Sequence, residues 1–244
     1  TTPETGRSAF IVTSEGEENE MGRQAYAQIL AKERESTNVR LKNIVQRVGN
    51  RIAQAANRPG YKWEFKLIES KEPNAFCLPG GKVAIYTGIL PYAQNEAGLA
   101  TIMGHEVAHA TARHGGQRIT MAMGTQVGLA ALQEIMGGKP STQKNLLFAA
   151  LGVGAQVGAI LPFSRGNESE ADEIGLIYMA RAGYDPREAP NFWGRFSKAS
   201  EGAPPKWLST HPPSGERQSS LQNQIPKVMG DYERSPKFGS GEAL

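Results

Sequence analysis

His105 and His109 stand four residues apart in the run His105-Glu106-Val107-Ala108-His109. On a helix, such a pair lies about 40° apart around the axis and about 6 Å apart along it, so both imidazoles can reach one metal ion. Glu106, one residue on, is placed to flank that ion and act as general base toward a water the ion acidifies. The plain alternative is two surface histidines with a solvated glutamate. A catalytic zinc takes three protein ligands and keeps a fourth position open. The acidic stretch from Ser164 to Glu173 can supply the third. Glu168 and Asp172, four apart, share a helix face, so Glu168 can bind the metal while Asp172 accepts a hydrogen bond from a ligand histidine's other nitrogen. Acids also favour a helix N-terminus through its dipole, which accounts for Glu168 and Glu170 taken singly.

The elements that must hold these residues are mostly helical. Apolar residues such as Ile44, Val48 and Ile52 recur at helical spacing, and we read two helices between about Asn19 and Asn57. Tyr61 to Leu67 alternates apolar and polar like a half-buried strand. Lys82 to Thr87 follows the turn Pro79-Gly80-Gly81 as its neighbour, and Asn74 to Leu78 forms a third extended piece. One helix is expected from Asn95 through Ile119. The stretch from Thr120 to Pro162 is rich in Gly and Ala and reads as a helical hairpin, buried or at a membrane surface. Its small-residue pairs, Gly124 with Gly128 and Gly154 with Gly158, would let two helix backbones approach. Asn167 is expected to cap a helix that runs to about Ala182. A further helix starts after Asp185-Pro186, and a last one spans about Ser214 to Val228 before a frayed tail. The fold class is therefore α+β, mostly helical with a small mixed sheet of about three strands. We read one domain over 1–244, made of N-terminal helices (1–57), sheet and histidine helix (60–119), hairpin (120–163) and C-terminal helices (164–230).

Composition narrows the function classes. The 244 residues carry 27 Lys plus Arg against 24 Asp plus Glu, and this near balance without a dense basic run argues against a nucleic-acid partner. One cysteine, Cys77, excludes an intrachain disulfide framework and a zinc site built from several thiolates. It reads as a small apolar filler. His114, five residues beyond His109, falls roughly 140° round an ideal helix and reads as a polar helix-end residue. Trp193 with Phe192 and Phe196 reads as core, and Trp207 as packing. The start Thr1-Thr2-Pro3 points to a processed product.

His105-Glu106-Val107-Ala108-His109 followed by Ser164-Arg165-x-x-Glu168-x-x-Ala171-Asp172 resembles the signature of a zinc metallopeptidase family, peptidase family M48. That family contains the CAAX-prenyl endoproteases, the HtpX heat-shock proteases and the mitochondrial Oma proteases. The resemblance extends to Asn74-Ala75-Phe76-Cys77-Leu78-Pro79-Gly80-Gly81 and to Thr210-His211-Pro212-Pro213 with Arg217, covering most of Tyr61 to Leu221. It implies a zincin-type metalloendopeptidase with one zinc ion per chain, His105, His109 and Glu168 as ligands, Asp172 as the orienting acid and Glu106 as general base and proton shuttle. Polypeptides are the implied substrates. Asn74-Ala75 is similar to the edge-strand pair with which thermolysin-like enzymes hold a peptide backbone, the plain alternative being a turn between strands.

By the same resemblance His211 lies beside the metal. It either donates to the oxyanion of the tetrahedral intermediate or fills the open zinc position and switches the enzyme off. Arg217 anchors this loop to an acid or supports the oxyanion, with a surface salt bridge as the alternative. The chain departs from members with four membrane spans or a helical-repeat domain and looks like the soluble periplasmic ones, some of them lipoproteins. This argues against prenyl-protein processing. The expected place is the bacterial periplasm or cell envelope, with membrane anchoring before trimming and a membrane-surface contact through 120–163. Two rivals stand beside a protease of misfolded or envelope proteins. One is a latent or chaperone-like peptide binder closed by His211, the other a membrane-interaction module with a structural metal.

Overall fold

The computed structural model describes residues 1–124, 162–199, 205–212 and 216–244. The expected hairpin from Thr120 to Pro162 therefore lies almost wholly outside the described residues.

Two N-terminal helices form where helical spacing places them, α1 over Glu15–Leu30 and α2 over Val39–Ala56. Ser14 starts α1 through a reciprocal pairing with Glu17, and the Asn38 side chain accepts from Leu41 N–H to start α2. Three strands follow, β1 (Glu64–Ile68), β2 (Ala75–Leu78) and β3 (Lys82–Tyr86), in the order β1-β3-β2. β1 runs parallel to β3 with Glu64 opposite Lys82, and β2 runs antiparallel with Cys77 opposite Val83. The sheet is mixed, as expected, and β2 is one of its edges. β3 is buried along its whole length, and alternate side chains enter two different cores. Val83 and Ile85 join the main core with α2, while Ala84 and Tyr86 join a smaller cluster with Tyr26 of α1 and Phe76.

After a short helix α3 (Leu90–Ala93) comes α4 (Glu96–Thr111), which is buried on every side. Asn95 caps it through Gly98 N–H. The single helix expected from Asn95 to Ile119 is in fact two. Ala112 caps α4, Arg113 takes a left-handed φ of 55°, and α5 restarts at His114 to run to Gly124.

The long helix α6 (Arg165–Arg181) crosses α4 with backbone against backbone. A Cβ on Gly104 would stand 2.8 Å from the Gly175 carbonyl oxygen, and one on Gly175 2.8 Å from the His105 nitrogen. Ser164, not Asn167, caps α6, accepting from Asn167 N–H, because the helix begins at Arg165 and Asn167 lies in its first turn. Helices α7 (Glu188–Ala199), α8 (Lys206–Thr210) and α9 (Arg217–Arg234) complete the described residues.

The tail is not frayed. The carbonyls of Ser240 and Glu242 accept from Ala97 and Glu96 N–H at the start of α4, donors that a helix N-terminus otherwise leaves unpaired.

Candidate metal centre

α4 presents His105, Glu106 and His109, α6 presents Glu168 and Asp172, the end of α8 presents His211, and the first turn of α9 presents Arg217. All seven are buried. The Gly104–Gly175 contact brings the first two helices close enough for their side chains to meet.

Four donor atoms converge. His105 Nε2 lies 3.0 Å from His109 Nε2 and 3.3 Å from His211 Nδ1, while Glu168 Oε1 lies 2.8 Å from His211 Nδ1 and 3.2 Å from His109 Nε2. Ligand bonds of about 2.0–2.2 Å place tetrahedral donors roughly 3.3–3.6 Å apart. The cluster sits slightly inside those edges, and its donor set of three imidazoles and one carboxylate suits zinc.

The surrounding partners set which nitrogens are free. Asp172 Oδ1 lies 2.9 Å from His105 Nδ1, so Nδ1 carries the hydrogen and Nε2 offers its lone pair inward. His211 Nε2 faces Glu106 Oε1 at 3.3 Å, leaving Nδ1 to the cluster. For His109 the outer partner is His114 Nδ1, at 2.9 Å from His109 Nδ1. Glu168 Oε2 is buried without an aligned hydrogen bond, although the Arg217 guanidinium stands 2.9 Å away. Inward lone pairs beside a buried carboxylate fit a cation.

Charge points the same way. Burial pushes the Glu168 carboxyl up, but His211 and His105 outweigh it and hold the group well below the usual carboxylate range. At His105, burial and Arg217 lower the pKa, and Glu168 with Asp172 reverse this to about 9, so the acids favour positive charge there. Burial dominates at His109 and keeps its ring neutral. Arg217 is no surface salt bridge. It grips Asp172 in two places, Nε to Oδ2 at 2.5 Å and Nη2 to Oδ1 at 2.8 Å, and lies over the Trp193 ring at 3.6 Å.

Residues 40–225 match the sequence profile of peptidase family M48. The chain belongs to that family. It is 40% identical over 196 residues to the mitochondrial metalloendopeptidase OMA1 of Schizosaccharomyces pombe, covering 78% of this chain and 55% of that protein. Against the beta-barrel assembly-enhancing protease of Yersinia pestis it is 32% identical over 231 residues, 91% of this chain and 46% of that protein. OMA1 of Saccharomyces cerevisiae shares 30% over 262 residues, 96% of this chain and 71% of that protein. The chain spans about half the length of the first two. The donor cluster lies inside the stretch that matches the family.

Two residues of this M48 site escape sequence reasoning. Trp207 does pack, stacked on Trp193, but its indole N–H also donates to Glu106 Oε1 at 2.6 Å. His114 does stand at a helix end, the start of α5, but it is wholly buried and paired with His109 and Glu170. The signal that could have found it is the polar pair Arg113-His114 between α4 and α5, where a break in the helix voids the 140° rule. Phe163 adds a ring stacked 3.8 Å from His109, and its N–H holds the Thr210 carbonyl beside His211.

Asn74 and Ala75 occupy the start of the edge strand. Tyr86 N–H bonds the Asn74 carbonyl, so the alternation turns the Ala75 and Cys77 backbone groups toward the free edge. Ala75 N–H there meets the Asn74 side-chain oxygen at 2.9 Å. A small cavity of about 20 Å³ is lined by Cys77, Pro79, Arg113, His109 and Phe163. The Cys77 thiol is pushed well up by burial, which denies it a nucleophile's role.

Proposed function

We propose that the chain is a zinc-dependent endopeptidase in which His105, His109 and Glu168 hold the ion and Glu106 is the general base. One observation carries this. Glu106, adjacent to the donor cluster, is fixed by the Trp207 N–H at 2.6 Å on one oxygen, which orients its carboxylate toward the cluster. A bound zinc would supply Lewis acidity, bringing a water pKa toward about 7 and polarising a carbonyl. Glu106 takes the proton of the attacking water as the new C–O bond forms. It then delivers that proton to the leaving nitrogen as the C–N bond breaks, and ends as the carboxylate it began as. Asp172, gripped by Arg217, keeps the His105 ring in place throughout.

The edge of β2, with Asn74 and Ala75 at its start, is the proposed seat of an extended substrate. Main-chain pairing reads little side-chain sequence and suits misfolded substrates. We place the protein in the bacterial periplasm or envelope, acting on misfolded or envelope proteins. In support, the Yersinia relative's name refers to beta-barrel assembly. Among the described residues no helix is long and apolar enough to cross a membrane.

A second reading has its own support. His211 Nδ1 occupies the fourth corner of the donor set, which favours a latent enzyme that opens when the His211 loop moves. The test is casein hydrolysis by the zinc-loaded chain beside Glu106→Gln and a chelator control. Cleavage by the native chain alone, with Glu106→Gln still holding one zinc and slower by about a thousandfold or more, is the expected result. Zinc bound without native cleavage would shift the conclusion to latency. Full activity in Glu106→Gln would overturn the general base.

A further inference from the structure

Residues 2–7 lie outside the stretch that matches the family profile, yet they reach the metal centre. They form a tight loop closed by Thr2 N–H on the Arg7 carbonyl and Gly6 N–H on the Thr2 carbonyl. Three of its side chains converge on one buried carboxylate, Glu170. Thr2 Oγ1 and Thr5 Oγ1 donate to Oε1 at 2.8 and 2.5 Å, and Arg7 donates to Oε2 through Nε at 2.8 Å and Nη2 at 2.5 Å. Glu170 Oε2 also lies 3.0 Å from His114 Nε2, and His114 Nδ1 lies 2.9 Å from His109 Nδ1.

The chain of contacts fixes every hydrogen. A carboxylate holding four donors is an acceptor only, so His114 carries its hydrogen on Nε2 and accepts at Nδ1. His109 must then carry its hydrogen on Nδ1, which leaves the Nε2 lone pair facing the donor cluster. Asp172 does this directly for His105, whereas for His109 the same task passes through His114.

We propose that Glu170 and His114 are the positioning residues of His109, and that the loop of residues 2–7 locks them from outside the stretch that matches the family profile. Docking of this loop therefore tunes the metal affinity of the site. The inference rests on the metallopeptidase reading, in which His109 is a ligand.

The test measures zinc affinity by competition with a chromophoric chelator, together with the visible spectrum of the cobalt-loaded protein, on the full chain. His114→Phe keeps an aromatic ring but leaves the His109 Nδ1 hydrogen without an acceptor, and is expected to lose about 10–100-fold in affinity. Arg7→Met, in a side chain already 43% exposed, is expected to lose about threefold or more in affinity and to lower the metal-free melting temperature, since it leaves the buried Glu170 with fewer donors. It serves should His114→Phe fail to fold. Altered cobalt bands in either variant would support the relay. Native affinity in either, in a wild type that binds one zinc and cleaves casein, would overturn the relay and leave the peptidase standing. A wild type that binds no zinc would overturn both.

Discussion

At the scale of single residues, a four-residue spacing is legible because a helix converts it directly into a shared face. His105 with His109 and Glu168 with Asp172 are read this way, and the structure brings His105, His109 and Glu168 to one point with Asp172 behind His105. His114 was hidden because Arg113 leaves helical φ/ψ, which resets the angular count beyond it. Trp207 was hidden because nothing in a run of sequence tells an indole that packs from one that also donates. Its bond to Glu106 yields a prediction. Trp207→Phe keeps an aromatic ring against Trp193 and removes the donor alone. A hydrogen bond to a charged group is worth about 1.5–3 kcal/mol, so kcat should fall about 10–100-fold. Zinc content should not change, since the Phe ring keeps the packing against His105 and His211 and the lost hydrogen bond goes to Glu106, which is not a donor of the cluster. Steady-state hydrolysis with metal analysis checks this, and an unchanged kcat would show that Trp207 only packs.

At the scale of elements, helices and strands were readable from periodicity, while their crossings were not. β1, β2 and β3 fall where alternation and the Pro79-Gly80-Gly81 turn place them, although β1 starts at Glu64 rather than Tyr61. The contact that builds the site is the meeting of α4 and α6 at Gly104 and Gly175. A glycine inside a helix says nothing in sequence about what approaches it, and α4 is buried all round, so no stripe marks the facing side. Gly175→Ala should force the two backbones apart, because the new methyl would stand 2.8 Å from the His105 nitrogen. Overpacking of this kind costs about 1–3 kcal/mol. Since Glu168 and His105 ride on the separated helices, zinc affinity should fall along with the melting temperature. Gly16→Ala in α1, where nothing lies within 4 Å, is the control and should leave both alone. Equal behaviour of the two variants would mean that the helix crossing does not set the site.

At the scale of the whole molecule, the donor cluster ties together segments from across the chain. Both terminal segments buttress it, residues 2–7 behind Glu170 and residues 240–242 at the start of α4. Neither was legible, because each contact joins positions more than 140 residues apart and is made by ordinary polar or backbone groups. A metal bound by α4 and α6 together is absent from the unfolded chain, so its binding free energy adds to folding stability. At a free zinc concentration one hundred times Kd the gain is about 2.7 kcal/mol. For a chain of this size that raises the melting temperature by about 5–10 °C over the chelated protein. Glu106→Gln should keep the full shift, because Glu106 is not one of the four converging donors. Glu168→Gln should lose most of it, since the carboxylate that balances the ion's charge is gone. Thermal melts of the three proteins in zinc and in chelator decide the ligand set without any substrate. A Glu168→Gln protein that kept the whole zinc shift would remove Glu168 from that set and leave the α4 histidines to find their third partner elsewhere.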